Sequence, residues 1–311
     1  MARRKEFSFL SSNGSTTVHG VRWIPNNGNY DAILQISHGM CEHIERYDEF
    51  ARFIADYGIM VVGYDHVGHG KSIEGVEDYG YFGEHPSDII VEDMHQVRAM
   101  EQSDKPYFML GHSMGSYMLR KYLAIHGEGL SGAIIMGTGY VSQPVIIFGI
   151  CVAKLQGFVM GQKHRSWFLR ELSYTKSYNE FDSYGKDYTK SWLTKDVKEA
   201  KKYFSDPTCK FTFTCNGYLG LFEAVSYCCK KANAERIPKD VPIWLISGEN
   251  DPVGDLGKGV KLVEKLYKDV GIKSVECKLY RNDRHEILHE IDKEIVYNDI
   301  IAWLMGNINK K

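Results

Sequence analysis

The G-x-S-x-G sequence at residues 111–115 constrains the fold of this chain more than any other feature. The apolar run 106–110 before it is typical of a buried strand, and residues 116–124 after it have helical periodicity. A G-x-S-x-G sequence between a strand and a helix predicts a tight turn that raises the serine side chain above a sheet. Its glycines remove Cβ atoms where strand and helix come close. We therefore predict that Ser113 is a nucleophile on a strained turn.

Strand and helix patterns alternate on both sides of this turn. Residues 6–10 and 16–23 predict an antiparallel pair. Later apolar runs predict buried strands over 32–37, 60–65, 132–136, 241–247 and 274–280. Helices are predicted between them over 46–57, 90–101 and 258–268, and after them over 292–305. Such alternation predicts a mostly parallel sheet with helices on both faces, in which ligands bind at the carboxyl ends of the strands.

The alternation stops between residues 141 and 236, a segment rich in aromatic residues. We interpret this segment as a helical insertion, the cap segment, between core segments 1–140 and 237–311. Phe148, Phe158 and Trp167 could line a hydrophobic throat or form a small core of the cap segment itself. The apolar stretch 145–153 could rest on a lipid surface or simply pack inside the protein.

Composition excludes several classes of function. The net charge of −2 gives no reason to expect nucleic acid or a strongly charged partner. Seven cysteines without a C-x-x-C motif favour reduced thiols and a cytoplasmic location. No signal peptide is visible, and the stretch 145–153 stops at Lys154, too short to span a bilayer. The composition gives no indication of the oligomeric state.

A serine nucleophile needs a base to take its proton and an acid to orient that base. Asp251 follows the strand predicted over 241–247, and His285 follows the strand predicted over 274–280. The order Ser113, Asp251, His285 is that of α/β-hydrolases. Alternatives stay open within the same loops: Glu249 or Asp255 as the acid, and His289 as the base.

The negative charge that develops on the substrate oxygen needs two backbone amides to bind it. One should come from Met114, the residue after the nucleophile. The other should come from the loop after the strand predicted over 32–37, where Gly39 permits a sharp bend. We therefore predict that the amides of Met40 and Met114 form an oxyanion hole.

Three further segments carry a family resemblance. Residues 38–47, H-G-M-C-E-H-I-E-R-Y, resemble the H-G-x-x-E-H-x-x-R-Y segment of the monoacylglycerol lipase and lysophospholipase group of α/β-hydrolases, of the serine aminopeptidase S33 type. Residues 65–72 resemble the D-x-x-G-H-G-x-S loop of that group, and 284–286 its R-H-E. The resemblance extends from about residue 7 to residue 303. It implies the α/β-hydrolase fold: about eight strands, helices on both faces, and a helical cap insertion.

The resemblance also implies a chemistry. It predicts a serine carboxylic-ester hydrolase that forms an acyl-enzyme with an apolar acyl group, as in a monoacylglycerol or a lysophospholipid, without cofactor or metal. Supporting roles around the site fall to His38, Gly39, Glu42, Arg46 and His112. The chain departs from the family pattern at two positions where glycine is common, which are occupied by Cys41 and Asn282.

Rival interpretations come from other classes. A proline-releasing serine aminopeptidase shares this scaffold and needs acidic groups near the entrance to bind a free amine. A small-molecule-binding protein with the same fold and no activity is a more remote alternative. Residues 285–289 match the zinc motif H-E-x-x-H, but they follow a strand and a polar turn, and no histidine lies downstream as a third ligand.

Overall fold

The computed structural model describes residues 2–174 and 176–308. Within these residues one sheet holds eight strands in the order β1-β2-β4-β3-β5-β6-β7-β8. The strands are β1 (Arg3–Leu10), β2 (Thr17–Ile24), β3 (Ala32–Ser37), β4 (Ile59–Tyr64), β5 (Tyr107–His112), β6 (Gly132–Met136), β7 (Ile243–Gly248) and β8 (Val275–Tyr280). The pairs β1–β2 and β2–β4 are antiparallel and all others are parallel. The predicted mostly parallel sheet is confirmed.

The described residues also form the helices α1 (Asp48–Asp56), α2 (Pro86–Met100), α3 (Met114–His126), α4 (Gln143–Met160), α5 (Trp167–Ser173), α6 (Val197–Ser205), α7 (Cys215–Cys228), α8 (Lys231–Ala234), α9 (Lys258–Asp269) and α10 (Lys293–Ile308). Two boundaries differ from the prediction by several residues. A 3₁₀ turn over Ile44–Tyr47 precedes α1. Helix α2 begins at Pro86, since proline is favoured at the first helical position.

The sheet separates two apolar layers. Side chains alternate along each central strand, so Ile33 of β3 belongs to one layer while Leu34 and Ile36 belong to the other. Residues of α2, α3, α7 and α9 share the layer of Ile33, and residues of α1 and α10 share the other. Both faces are therefore covered, as the alternation predicts.

Between β6 and β7 the chain forms α4 to α8. Helix α7 packs on α2 and α3 on one side and on α4 on the other. The packing of α4 on α7 is close: a Cβ at Gly149 would lie 3.2 Å from the ring of Phe222. Helix α7 thus connects the rest of this segment to the sheet and places α4 at the surface.

Helix α4 is longer than the apolar stretch seen in the sequence. It continues through Lys154 to Met160, since that lysine extends toward Glu223 (Nζ–Oε1, 3.8 Å) instead of ending the helix. Its 18 residues have a mean hydropathy of 1.6, and 22% of them are buried. The expectation that this stretch is too short to span a bilayer was therefore wrong as to length and composition, although core helices of water-soluble proteins have the same features.

Candidate active site

Ser113 occupies a strained turn between β5 and α3, with φ 52° and ψ −120°. The turn depends on its flanking glycines. A Cβ at Gly111 would overlap the carbonyl oxygen of Gly115, and a Cβ at Gly115 would overlap that of Ser37 in β3. The close approach of strand and helix thus explains both glycines of the motif, and it holds the serine at the carboxyl end of the sheet.

Asp251 and His285 meet beside this turn, in the loops after β7 and β8. The Nδ1 atom of His285 lies 3.0 Å from each carboxylate oxygen of Asp251. The carboxylate also accepts from the Ser247 hydroxyl at 2.8 Å and from the Val253 amide at 2.9 Å. Burial opposes the charge of Asp251, but His285 and these donors outweigh it and hold its pKa below the usual value.

The other ring nitrogen of His285, Nε2, takes no part in the contact with Asp251. Because Nδ1 donates to Asp251, Nε2 is the nitrogen left to accept a proton. Among the described residues, Nε2 has no hydrogen-bond partner. His285 and Ser113 line the same cleft, and Trp192 covers the imidazole with its ring centroid 5.0 Å away. This arrangement leaves Nε2 available to accept a proton.

The alternative acid and base residues have other partners. Glu249 accepts from the Asn282 amide at 3.3 Å, and Asp255 accepts from the Ser177 hydroxyl at 2.5 Å. His289 is partly buried beside Tyr47 and lies 3.9 Å from Glu199. The structure therefore brings Asp251 to His285, and it places the three alternatives elsewhere.

The predicted oxyanion residues Met40 and Met114 both line a cleft with Ser113. Met114 is the first residue of α3, so its amide has no acceptor one turn earlier in the helix. The preceding Gly39 amide turns the other way and donates to Glu42. A Cβ at Gly39 would lie 2.9 Å from that of Ser113, so glycine allows this loop to approach the nucleophile.

Glu42 connects this loop to the other two loops of the site. Its buried carboxylate accepts from Tyr47 at 3.0 Å and from Nδ1 of His112 at 2.9 Å, besides the Gly39 amide. The other nitrogen of His112 lies 3.3 Å from the carbonyl oxygen of His285. The oxyanion loop, the nucleophile turn and the histidine loop are thus joined through one acid.

Arg46 adds a second connection that the sequence analysis did not identify. It donates to Glu42 at 2.9 Å and forms a bidentate ion pair with Glu286, with hydrogen bonds of 2.6 and 2.7 Å. Glu286 directly follows His285. The only sequence signal was the resemblance of the segments that carry Arg46 and Glu286, which lie 240 residues apart.

His38 binds backbone groups of two loops, and the two positions that depart from the family pattern, Cys41 and Asn282, have an unusual backbone conformation. His38 accepts the His66 amide at 2.9 Å on Nε2, so Nδ1 is the nitrogen that donates to the Gly39 carbonyl, at 2.8 Å. Cys41 and Asn282 have φ values of 55° and 62°, in the left-handed region. Glycine is favoured in this region. A cysteine is more strained there than an asparagine, which adopts positive φ more readily.

Comparisons with known proteins identify the family and the fold. Residues 28–292 match the family model described as serine aminopeptidase, S33. The chain belongs to this family. The human monoglyceride lipase is 28% identical over 296 residues, which cover 91% of this chain and 84% of that protein. A monoacylglycerol lipase of Mycolicibacterium smegmatis is 23% identical, with 98% of each chain covered.

Solved structures show the same fold. A thermostable carboxyl esterase from Bacillus coagulans is 32% identical with a TM-score of 0.89, and 99% of each chain is covered. A monoglyceride lipase from Saccharomyces cerevisiae has a TM-score of 0.75 at 21% identity, with 99% of this chain and 97% of that chain covered. The predicted resemblance and the α/β-hydrolase fold are confirmed. The chain is a serine ester hydrolase.

Ser113 of this hydrolase lies where two clefts of different character meet. One, the apolar cleft, has a volume of about 190 Å³ and runs beneath α4. Its apolar lining includes Tyr117, Val141, Val145, Ile146, Leu172, Leu221, Phe222 and Val225. The other, the polar cleft, has a volume of about 300 Å³ and contains His285 together with Glu42, Arg170, Ser183 and Lys210.

Both sequence interpretations of the aromatic residues in the cap segment were wrong in detail. Phe148, Phe158 and Trp167 are 56%, 86% and 65% exposed, and none of them lines the apolar cleft. They form neither a throat nor a small core. The packing of α4 on α7 turns Ile146 and Gly149 inward and leaves Phe148 and Phe158 outside, whereas Trp167 is exposed at the start of α5.

Two groups of residues bear on metal binding. Residues 287–289 of the H-E-x-x-H match form a short 3₁₀ turn, and the first histidine is bound to Asp251. A separate trio beside the polar cleft, His43, Asp206 and Cys209, has ligand atoms within 4.8 Å of one another. His43 hydrogen-bonds Asp206 at 3.1 Å, and burial raises the pKa of the Cys209 thiol.

We expect Arg46→Leu to lower the free energy of unfolding by about 3–5 kcal/mol, because it leaves two buried carboxylates without a cation. Urea denaturation would measure the loss. Arg52→Leu is the matched control, since Arg52 pairs with Asp48 at the surface and should cost at most about 1 kcal/mol. Equal losses in the two variants would contradict the role of Arg46 as the link between the loops.

Three buried histidines and the partly buried His289 predict that the hydrolase loses stability in acid. Burial lowers the pKa of His66 to about 3, of His69 to about 4 and of His289 to about 3, and it lowers that of His38 well below its usual value. Each is neutral in the folded state, whereas an unfolded histidine binds a proton below about pH 6.5. Their contribution to stability is therefore complete above that pH and is lost as the pH falls.

The expected result is a urea midpoint that falls steadily from pH 7 to pH 4.5, each histidine contributing up to about 1.4 kcal/mol per pH unit. His112 opposes this trend: burial disfavours its charge, but Glu42 outweighs burial and raises its pKa. A midpoint that stays constant down to pH 5 would show that these histidines do not titrate on unfolding.

Proposed function

We propose that this chain hydrolyses carboxylic esters with an apolar acyl group through an acyl-enzyme on Ser113. The observation that carries the proposal is the Asp251–His285 pair beside a strained serine, at the junction of an apolar and a polar cleft. The acyl chain would enter the apolar cleft. We propose residues 141–236 as the cap, because α4, residues 172–174 and Tyr178 line this cleft.

Each residue has a defined role in the proposed mechanism. Ser113 Oγ attacks the ester carbonyl while His285 Nε2 takes its proton, and Asp251 stabilises the resulting imidazolium. The amides of Met40 and Met114 bind the negative oxygen of the tetrahedral intermediate. The alcohol then leaves with the proton from His285. Water attacks the acyl-enzyme by the same route and releases the acid.

Monoacylglycerols and lysophospholipids are the two candidate substrate classes. The relatives from human and M. smegmatis are a monoglyceride lipase and a monoacylglycerol lipase. The apolar cleft is narrow and lined by aliphatic and aromatic side chains, which suits a single acyl chain. Lysophospholipids have the same acyl portion and differ only in the alcohol portion.

The aminopeptidase alternative lacks support in the polar cleft. A free amine would need an unpaired carboxylate near the nucleophile. Among the described residues that line the polar cleft, the acids are Glu42 and Glu286, and both are bound to Arg46. Glu171 in the cap segment accepts from Tyr184 at 2.6 Å and does not line that cleft.

A substrate panel tests the proposal. Monoacylglycerols of graded chain length and p-nitrophenyl esters would be compared with a prolyl arylamide by kcat/KM. We expect turnover of the esters, with values that rise with acyl length until the apolar cleft is filled. Turnover of the arylamide without turnover of any ester would favour the aminopeptidase.

The outer face of α4 supports a second part of the proposal, transient contact with a lipid surface. Leu155, Phe158, Val159 and Met160 are more than half exposed, and Trp167 of α5 lies beyond the end of α4. Single exposed apolar residues are common, but a continuous apolar face on one helix is typical of helices that rest in a membrane interface. Such contact would place the opening of the apolar cleft close to lipid substrates.

We expect Phe158→Ser to weaken binding to phosphatidylcholine vesicles by about ten-fold, because the exposed ring would leave the lipid phase. Vesicle flotation would measure binding. Leu256→Ser is the matched control, since Leu256 is 42% exposed and lies outside the cap segment. Equal flotation of the wild type and both variants would exclude α4 as the contact surface.

A further inference from the structure

The chemistry of the reaction assigns the two clefts to the two parts of the substrate. This step depends on the ester hydrolysis proposed above. His285 must deliver a proton to the leaving alcohol, so the alcohol lies in the cleft that contains His285. That cleft is the polar one, and His285 does not line the apolar cleft. The side chains of the polar cleft therefore select the alcohol.

Four charged side chains line the polar cleft besides the imidazoles: Glu42, Glu286, Arg170 and Lys210. The two carboxylates share Arg46 as an ion-pair partner, and Glu42 also contacts Nδ1 of His112. Lys210 is exposed and so extends toward solvent at the edge of the cleft. The charge that remains available to a bound alcohol is positive.

Arg170, on α5, is held in place by aromatic rings. Its guanidinium lies 4.5 Å from the ring centre of Tyr184 and 5.8 Å from that of Tyr174. One nitrogen donates to the Ser183 carbonyl at 3.3 Å. Within residues 2–174 and 176–308, no carboxylate lies within 4.0 Å of it. A guanidinium has five N–H donors, so most of them remain for a ligand.

Arg170 shares this cleft with the reacting groups. Arg170, Ser113 and His285 all line the polar cleft, and so does Cys41 of the predicted oxyanion loop. Tyr174, whose ring centre lies 5.8 Å from the guanidinium, lines both clefts together with Ser113. The guanidinium therefore belongs to the cleft that we assign to the alcohol portion.

We propose that Arg170 is a specificity-determining residue that binds a phosphate group on the alcohol portion of the substrate. A guanidinium can donate two parallel hydrogen bonds to a phosphate, and the contacts of Arg170 with two tyrosine rings and the Ser183 carbonyl reduce the entropy lost on binding. A neutral glycerol would leave this cation without a counterion. The preferred substrate is then an acyl ester of a phosphorylated alcohol, with Lys210 adding attraction at the edge of the cleft.

Kinetics on two matched substrates test the proposal. A short-chain monoacylglycerol and the same molecule with a phosphate on its glycerol would be compared below their aggregation concentrations. We expect the wild type to prefer the phosphate by about ten-fold or more in kcat/KM, and Arg170→Gln to remove that preference through a much larger fall in kcat/KM on the phosphate ester than on the neutral one. Lys186→Gln is the matched control, because Lys186 lies 5.5 Å from the same Tyr184 ring but outside the cleft.

An inhibition experiment gives a second readout. Glycerol 3-phosphate should inhibit hydrolysis of p-nitrophenyl butyrate competitively in the wild type and in Lys186→Gln, and at least ten-fold more weakly in Arg170→Gln. Glycerol should inhibit all three equally. A preference of the wild type for the neutral ester, or an equal loss on both esters in Arg170→Gln, would overturn the proposal while leaving ester hydrolysis intact. Absence of turnover of every ester would instead refute the proposed function.

Discussion

Ser113→Ala should lower kcat for every ester by about 10⁶-fold, because the variant has no atom to form the acyl-enzyme. The fold should survive. Alanine occupies the left-handed backbone at φ 52° no less easily than serine, and the amide of residue 113 still donates to the Met136 carbonyl at 3.0 Å. Initial rates on a p-nitrophenyl ester would measure the loss, with circular dichroism as the check on folding.

Ser116→Ala is the matched control for this experiment. Ser116 lies one turn further along α3 and donates to the Ser113 carbonyl at 2.6 Å. Its loss should change kcat only a few-fold. Ester turnover that persists in Ser113→Ala and disappears in Ser116→Ala would refute the proposed nucleophile.

Asp251→Asn should lower kcat by about 10⁴-fold with little change in the global fold. An amide at this position can donate to Nδ1 of His285, which would place the ring proton on Nε2 and remove the base from Ser113. The Ser247 hydroxyl and the Val253 amide donate to Asp251, so the position is strongly oriented toward the imidazole. Steady-state kinetics on a soluble ester would measure the effect.

Glu249→Gln provides the comparison for Asp251→Asn. Glu249 lies in the same loop, and its carboxylate accepts only a weak bond, at 3.3 Å, from the Asn282 amide. We expect kcat within about two-fold of the wild type. A large loss in Glu249→Gln and a mild one in Asp251→Asn would exchange the roles of the two acids.

The nucleophile turn was predictable because its cause is local. A Cβ at Gly111 or Gly115 would overlap backbone atoms that are close in sequence or on the adjacent strand. The two glycines in the sequence are therefore a direct sign of this close packing. The acid was harder to predict, since Glu249, Asp251 and Asp255 share one loop. Three-dimensional contacts with Ser247 and His285 select Asp251, and no sequence pattern distinguishes the three residues.

The link through Arg46 and the lining of the apolar cleft depend on distant contacts. Arg46 and Glu286 are far apart in the chain, so their ion pair follows only from the closure of the sheet. Apolar composition predicted a helical segment between β6 and β7 but not which face of α4 turns inward. The packing of Gly149 against Phe222 on α7 determines which face of α4 turns inward.

Covalent trapping of the nucleophile tests the central claim most directly. The hydrolase would be incubated with a fluorophosphonate, its intact mass measured, and the modified peptide sequenced by mass spectrometry. We predict one adduct per chain, on Ser113, with residual activity falling in proportion to labelling. A folded wild-type protein that stays unlabelled, or that carries its adduct on another residue while Ser113 remains free, would contradict the account.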